Sequence, residues 1–92
     1  MGFTVKSIDS NGVEEELINF TSLPKLLSWL RNTNEAYDSM LPNGIVVHFE
    51  QKLSNTNAKK IIKAIFDNCA EDCVKITQKI VKNKIFLCGK FK

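Results

Sequence analysis

The stretch GIVVHFE, residues 44–50, is apolar on both sides of an extended chain. Ile45, Val47 and Phe49 fall on one side, and Val46 falls on the other beside His48. Successive side chains of a strand point to opposite faces, so a half-buried strand alternates apolar with polar. A strand apolar on both faces is a central one, covered on both sides. The segments on either side of it decide what it is central to.

Towards the N-terminus lies TSLPKLLSWLRNTN, residues 21–34. Leu23, Leu26, Leu27 and Leu30 recur at helical spacing and form one stripe. Ser22 or Thr21 serves as the cap, and Pro24 is tolerated in the first turn, where its missing N–H has no partner to lose. Asn34 would turn into the leucine stripe, so the helix should end near Thr33. A further short turn, EAYDSML, and the turn LPNG then lead into the strand. Before the helix, FTVKSIDSNGVEEELINF reads as a hairpin about Asn11-Gly12, a strong short turn signal. A two-residue loop pairs Val5 with Ile18 and Phe3 with Phe20, and puts Glu14 and Glu16 on the side of Ile18. A three-residue loop pairs Val5 with Leu17 instead.

On the other side, NTNAKKIIKAIFDNCAEDC, residues 55–73, reads as a second helix. Ala58, Ile61, Ile62, Ile65, Phe66 and Cys69 share one arc of it. Asp72 would enter that arc, so the helix should end near Ala70. CVKITQKIV and KIFLCGKF, joined by KNK, form a closing hairpin. The order is ββαβαββ, an α+β class. If both helical crossovers step the same way along the sheet, both helices lie on one face; if the second steps back, one covers each face. The expectation is a two-layer sandwich with a mixed sheet and both helices on one face. The apolar second faces of residues 45–49 and 85–88 then call for a cover, such as a copy of the same chain.

The 92 residues, 43% hydrophobic and 25% charged, suit one soluble globular domain spanning 1–92. Apolar runs reach only four to five residues, far short of the ~20 of a membrane span, and the first residues lack the pattern of a secretory signal. No membrane partner is expected. Three cysteines, Cys69, Cys73 and Cys88, form no even framework, which suits reduced thiols and a cytoplasmic location. Their spacing, with His48, is not that of a zinc site, and no metal or cofactor is expected.

The net charge of +3 is unevenly spread. Residues 1–50 hold three cations against seven carboxylates; residues 51–92 hold ten lysines against three. Lys59, Lys60 and Lys63 crowd the start of the second helix, where the helix dipole disfavours cations by ~0.3–1 kcal/mol. The Lys59–Lys63 pair adds ~0.2–0.5 kcal/mol of repulsion. Both terms are small beside a stability of ~5–15 kcal/mol, so a solvated helix tolerates them. The sharper reading is an anion or nucleic-acid site formed by Lys59, Lys60 and Lys63, with Lys82 and Lys84 of the closing hairpin. Against nucleic acid stand a single arginine, few aromatics in the basic half, and no recognised binding motif.

Trp29 lies off the leucine stripe. With Tyr37 and Met40, rimmed by Arg31, Glu35 and Asp38, it either completes the core or forms a protein-binding patch. One His and one Tyr offer few acid–base pairs, and the chain carries no nucleotide or hydrolase motif. The expected function is therefore non-enzymatic: a protein that docks on and occludes another macromolecule. Inhibitors, toxin-neutralising immunity proteins and phage- or mobile-element-encoded antagonists of host defence share this size and lack of chemistry. The alternative is a nucleic-acid or phosphate binder.

Overall fold

The computed structural model of the chain describes residues 2–33, 43–69 and 73–91, with side chains excepted at 69, 73–78 and 89–91. It contains strands β1 (Phe3–Ile8) and β2 (Glu14–Phe20), helix α1 (Leu23–Asn32), strand β3 (Ile45–Phe49), helix α2 (Asn55–Cys69), and strands β4 (Cys73–Val81) and β5 (Lys84–Phe91). The expected ββαβαββ order is met. The segments EAYDSML and LPNG fall largely outside the described residues.

The five strands form one sheet in the order β2-β1-β3-β5-β4, with β3 in the middle. Every neighbouring pair is antiparallel, so the sheet is not mixed. The reason lies in the hairpins. β2, β3 and β4 do run in the same direction, as helical crossovers require, but each crossover passes over one strand. β1 fills the first gap and β5 the second, both running the opposite way. Because both crossovers step in the same direction, α1 and α2 lie side by side on one face. Phe3, Val5, Ile45, Val47, Phe49, Ile85 and Leu87 of the sheet meet Leu26, Trp29, Leu30, Ala58, Ile61, Ala64 and Ile65 of the helices in a single core. Phe3 and Phe49 pack edge to face within it, ring centroids 5.5 Å apart.

The first hairpin combines the two expected registers. Gly12 N–H donates to Asp9 O (3.0 Å) and Asp9 N–H to Val13 O (3.0 Å), which closes a three-residue loop. Gly12 alone there takes positive φ, 81°, and the Asp9 carboxylate accepts from the Asn11 and Val13 amides. Yet Val5 pairs with Ile18 and Phe3 with Phe20, as a two-residue loop would give. A bulge between Val5 and Lys6 absorbs the extra residue, Leu17. On the turn side of the bulge every side chain changes face, so Glu14 and Glu16 join Lys6 on the side away from the helices rather than Ile18.

α1 starts after Ser22 and ends at Thr33, whose N–H and hydroxyl both donate to Trp29 O. Ser22 holds the N-cap position without a side-chain bond. α2 is capped by Ser54, whose Oγ accepts from Asn57 N–H (3.2 Å) and whose carbonyl accepts from Ala58 N–H. Its buried arc is rotated from the expected one. Ala64 is fully buried, whereas Phe66 is 43% exposed. The Asn68 amide, on the Ala64 side of the helix, donates to Leu30 O (2.8 Å) and Thr33 O (2.9 Å) of α1. α1 therefore lies against that side, and Phe66 is on the opposite flank.

Trp29 corrects a sequence expectation. It is 8% exposed and packs in the core against Phe20, ring centroids 5.8 Å apart, so it is not part of a protein-binding surface. The helix buries an arc wider than its leucine stripe because the end of β2 brings an aromatic ring up to its flank. No helix of the described residues is long and apolar enough to cross a membrane.

Candidate functional site

Two surfaces carry the charged and exposed apolar side chains singled out above. The first is the outer surface of the helix layer. On α2, Lys59, Lys60 and Lys63 are all exposed. Lys63 pairs with Asp67 one turn on, at 3.0 Å, with the ammonium still largely in solvent, a contact of little energetic weight. Lys59 and Lys60 have no ion pair among the described residues. α1, packed alongside, adds Lys25 and Arg31, both exposed. Five cations of the two helices thus face one carboxylate, Asp67. The sequence places Lys25 and Arg31 in the acidic half; the fold puts them in the same helix layer as the α2 lysines. Exposed Phe66 falls seven residues after Lys59 and three after Lys63, on their flank of the helix.

The second surface is the sheet face opposite the helices, which no element of the described residues covers. Its register is read across all five strands. The middle row runs Glu16, Lys6, Val46, Phe86, Lys79 from β2 to β4. The next row runs Asn19, Thr4, His48, Lys84, Val81. On the other side Ile8 and Cys88 flank Gly44. Glu16 and Lys79 are exposed, Val81 is 40% exposed, and Lys6, Ile8, Phe86 and Cys88 are half-buried.

His48 Nε2–H donates to Glu14 Oε1 at 2.7 Å, although β1 lies between their strands. The hydrogen bond from His48 holds the Glu14 carboxyl below its ordinary value of 4.5. Desolvation opposes this, while the positive charges of His48, Lys84 and Lys6 add to it. Only the bulge makes this pair possible, since it sets Glu14 on the face of His48.

The structure divides the lysines that sequence reasoning grouped as one anion site. Lys59, Lys60 and Lys63 lie on the helix side, Lys84 lies on the opposite side of the sheet, and exposed Lys82 occupies the β4–β5 turn. They form no single site. Of the protein-binding group, Arg31 is exposed, Trp29 is buried, and Glu35, Tyr37, Asp38 and Met40 lie outside the described residues. Cys88 is a free thiol, but His48 stands opposite Lys84, four positions along β5. At ~3.3 Å per residue the thiol and imidazole are too distant for a dyad. His48 does border a depression of about 440 Å³ with Thr4, Phe20, Glu50 and Asn83. No group of three or more metal-ligating side chains converges among the described residues.

Phe66, Asn68 and the Glu14–His48 pair were not legible as functional or structural contacts. The cue for Phe66 was Ala64, a small residue suited to helix–helix contact. Nothing in the sequence marks the bulge at Leu17. No family model, curated protein or solved structure matches this chain.

Proposed function

We propose that the chain is a non-enzymatic docking protein that works by covering an acidic surface of another protein with its helix layer. One observation carries the reading: the two helices expose five cations, Lys25, Arg31, Lys59, Lys60 and Lys63, and carry one carboxylate, Asp67. Such a field attracts an acidic partner from a distance and raises the rate of encounter, an effect that weakens with salt. Phe66, exposed on the flank of Lys59 and Lys63, supplies the apolar contact that slows dissociation. The mode of action is occlusion, as in an inhibitor, an immunity protein or an antagonist of host defence, and the proposed compartment is the cytoplasm. A phosphate backbone could meet the same cations, but a lone exposed aromatic offers little base stacking.

The test compares wild type with Lys59→Glu/Lys60→Glu/Lys63→Glu and with Phe66→Ser. Each is immobilised and exposed to lysate of the native host, and each is titrated with random-sequence DNA and RNA at two salt concentrations. The proposal expects a protein retained in fixed ratio by wild type, lost by the charge-reversal variant and weakened by Phe66→Ser. Equal retention by all three overturns it. Steeply salt-dependent nucleic-acid binding, abolished by the charge reversal, moves the assignment to the phosphate-binding alternative.

A further inference from the structure

The sheet face away from the helices is acidic at one edge and basic at the other, and its middle row runs Glu16, Lys6, Val46, Phe86, Lys79 across five strands. We infer that this face is a docking surface for a second copy of the chain. A two-fold axis lying in the interface and parallel to β3 exchanges the two edges. It sets Glu16 of one copy over Lys79 of the other, and Lys6 over the Phe86 ring; Val46, on the axis, is already fully buried within each copy and adds no contact. The first contact is an ion pair and the second a cation on an aromatic face. Both occur twice, as an isologous interface requires. One row nearer the first turn, the same operation sets Ile8 over Cys88. His48 is drawn towards β2 by Glu14. A two-fold axis perpendicular to the strands would instead stack β2 on β2, glutamate on glutamate, and β4 on β4, lysine on lysine. Charge therefore selects the strand-parallel axis.

Five strands at ~4.8 Å spacing, some six residues long, give on the order of 500 Å² per copy. That is at the low end for a specific interface, so the dimer dissociates on dilution. In it both helix layers face outward. The inference does not depend on what those layers bind, since none of the residues at this interface belongs to them.

Analytical ultracentrifugation at low ionic strength, from micromolar to near-millimolar protein, tests it with Glu16→Lys and Lys79→Glu. Wild type is expected to form a dimer that weakens with salt, and each single reversal to remain monomeric where wild type is dimeric. An equimolar mixture of the two variants should recover the dimer, because position 16 of each then meets an opposite charge at position 79 of the other. The double variant should recover it too. Glu16 and Lys79 sit on opposite edges of the sheet, so recovery cannot arise within one chain. A monomeric wild type throughout this range, a dimer unaffected by either reversal, or a mixture that stays monomeric each overturns the inference.

Discussion

Glu14 Oε1 and His48 Nε2 stand 2.7 Å apart across the width of β1, tying the edge strand β2 to the central strand β3. The Glu14 carboxyl titrates below its ordinary value of 4.5 in the folded chain, chiefly through this hydrogen bond. A carboxylate depressed by folding contributes stability that is fully present above its unfolded pKa and is lost as pH falls through the folded one. Wild type should therefore exceed Glu14→Gln in melting temperature at neutral pH, with the gap closing as pH drops below 4.5. Thermal melts of both chains through the carboxylate range check this. A gap that widens in acid contradicts the assignment.

The two helices are joined by Asn68, whose amide donates to the Leu30 and Thr33 carbonyls at the open end of α1. Asn68→Ala removes both bonds and should cost about 1–3 kcal/mol at ~0.5–1.5 kcal/mol each. Asn68→Asp should cost more, since it sets a carboxylate against two carbonyl oxygens. Denaturant midpoints of the two variants measure the order.

Gly44 enters β3 with φ 92°, and a Cβ there would come within 2.5 Å of Leu87 O on β5. Gly44→Ala combines left-handed backbone strain of about 1–3 kcal/mol with a backbone clash. The chain should lose at least that much stability in chemical denaturation, with local changes at Leu87 and Cys88 visible by NMR.

Lys82 is the only non-glycine residue with positive φ among those described, at 54°. An L side chain in that conformation carries about 1–2 kcal/mol of strain. Lys82→Gly relieves it, offset in part by a freer unfolded chain. The melting temperature should rise by a few degrees in calorimetry, while binding by the helix layer should be unchanged, because Lys82 lies at the β4–β5 turn.

Patterns repeated along the chain were legible in advance. The doubled apolar character of residues 45–49 does mark the middle strand, and α1 does end near Thr33. Features that depend on one element meeting another were not. The helical wheel of α2 cannot say where its arc is centred until α1 is placed, and α1 lies on the Ala64 side, leaving Phe66 in water. Trp29 looks peripheral by periodicity and becomes core because Phe20 meets it from a different strand. The bulge at Leu17 is invisible in composition, yet it decides which face Glu14 and Glu16 occupy. Charge did not follow this rule: the acidic half of the sequence supplies β2, β1 and β3 and the basic half β5 and β4, so the two halves occupy opposite sides of the sheet.

The position of β3 sets the order in which the chain can fold. The first hairpin and the last can each zip from its own turn, and such local closures take microseconds. Neither hairpin touches the other in the sheet, and β3 is the one ladder between them. Cooperative collapse must therefore wait for a five-residue segment to slot between two preformed edges, with Asn83 closing its far end through reciprocal bonds to Phe49. Loss of side-chain packing along β3 should slow refolding more than equal damage in either outer strand.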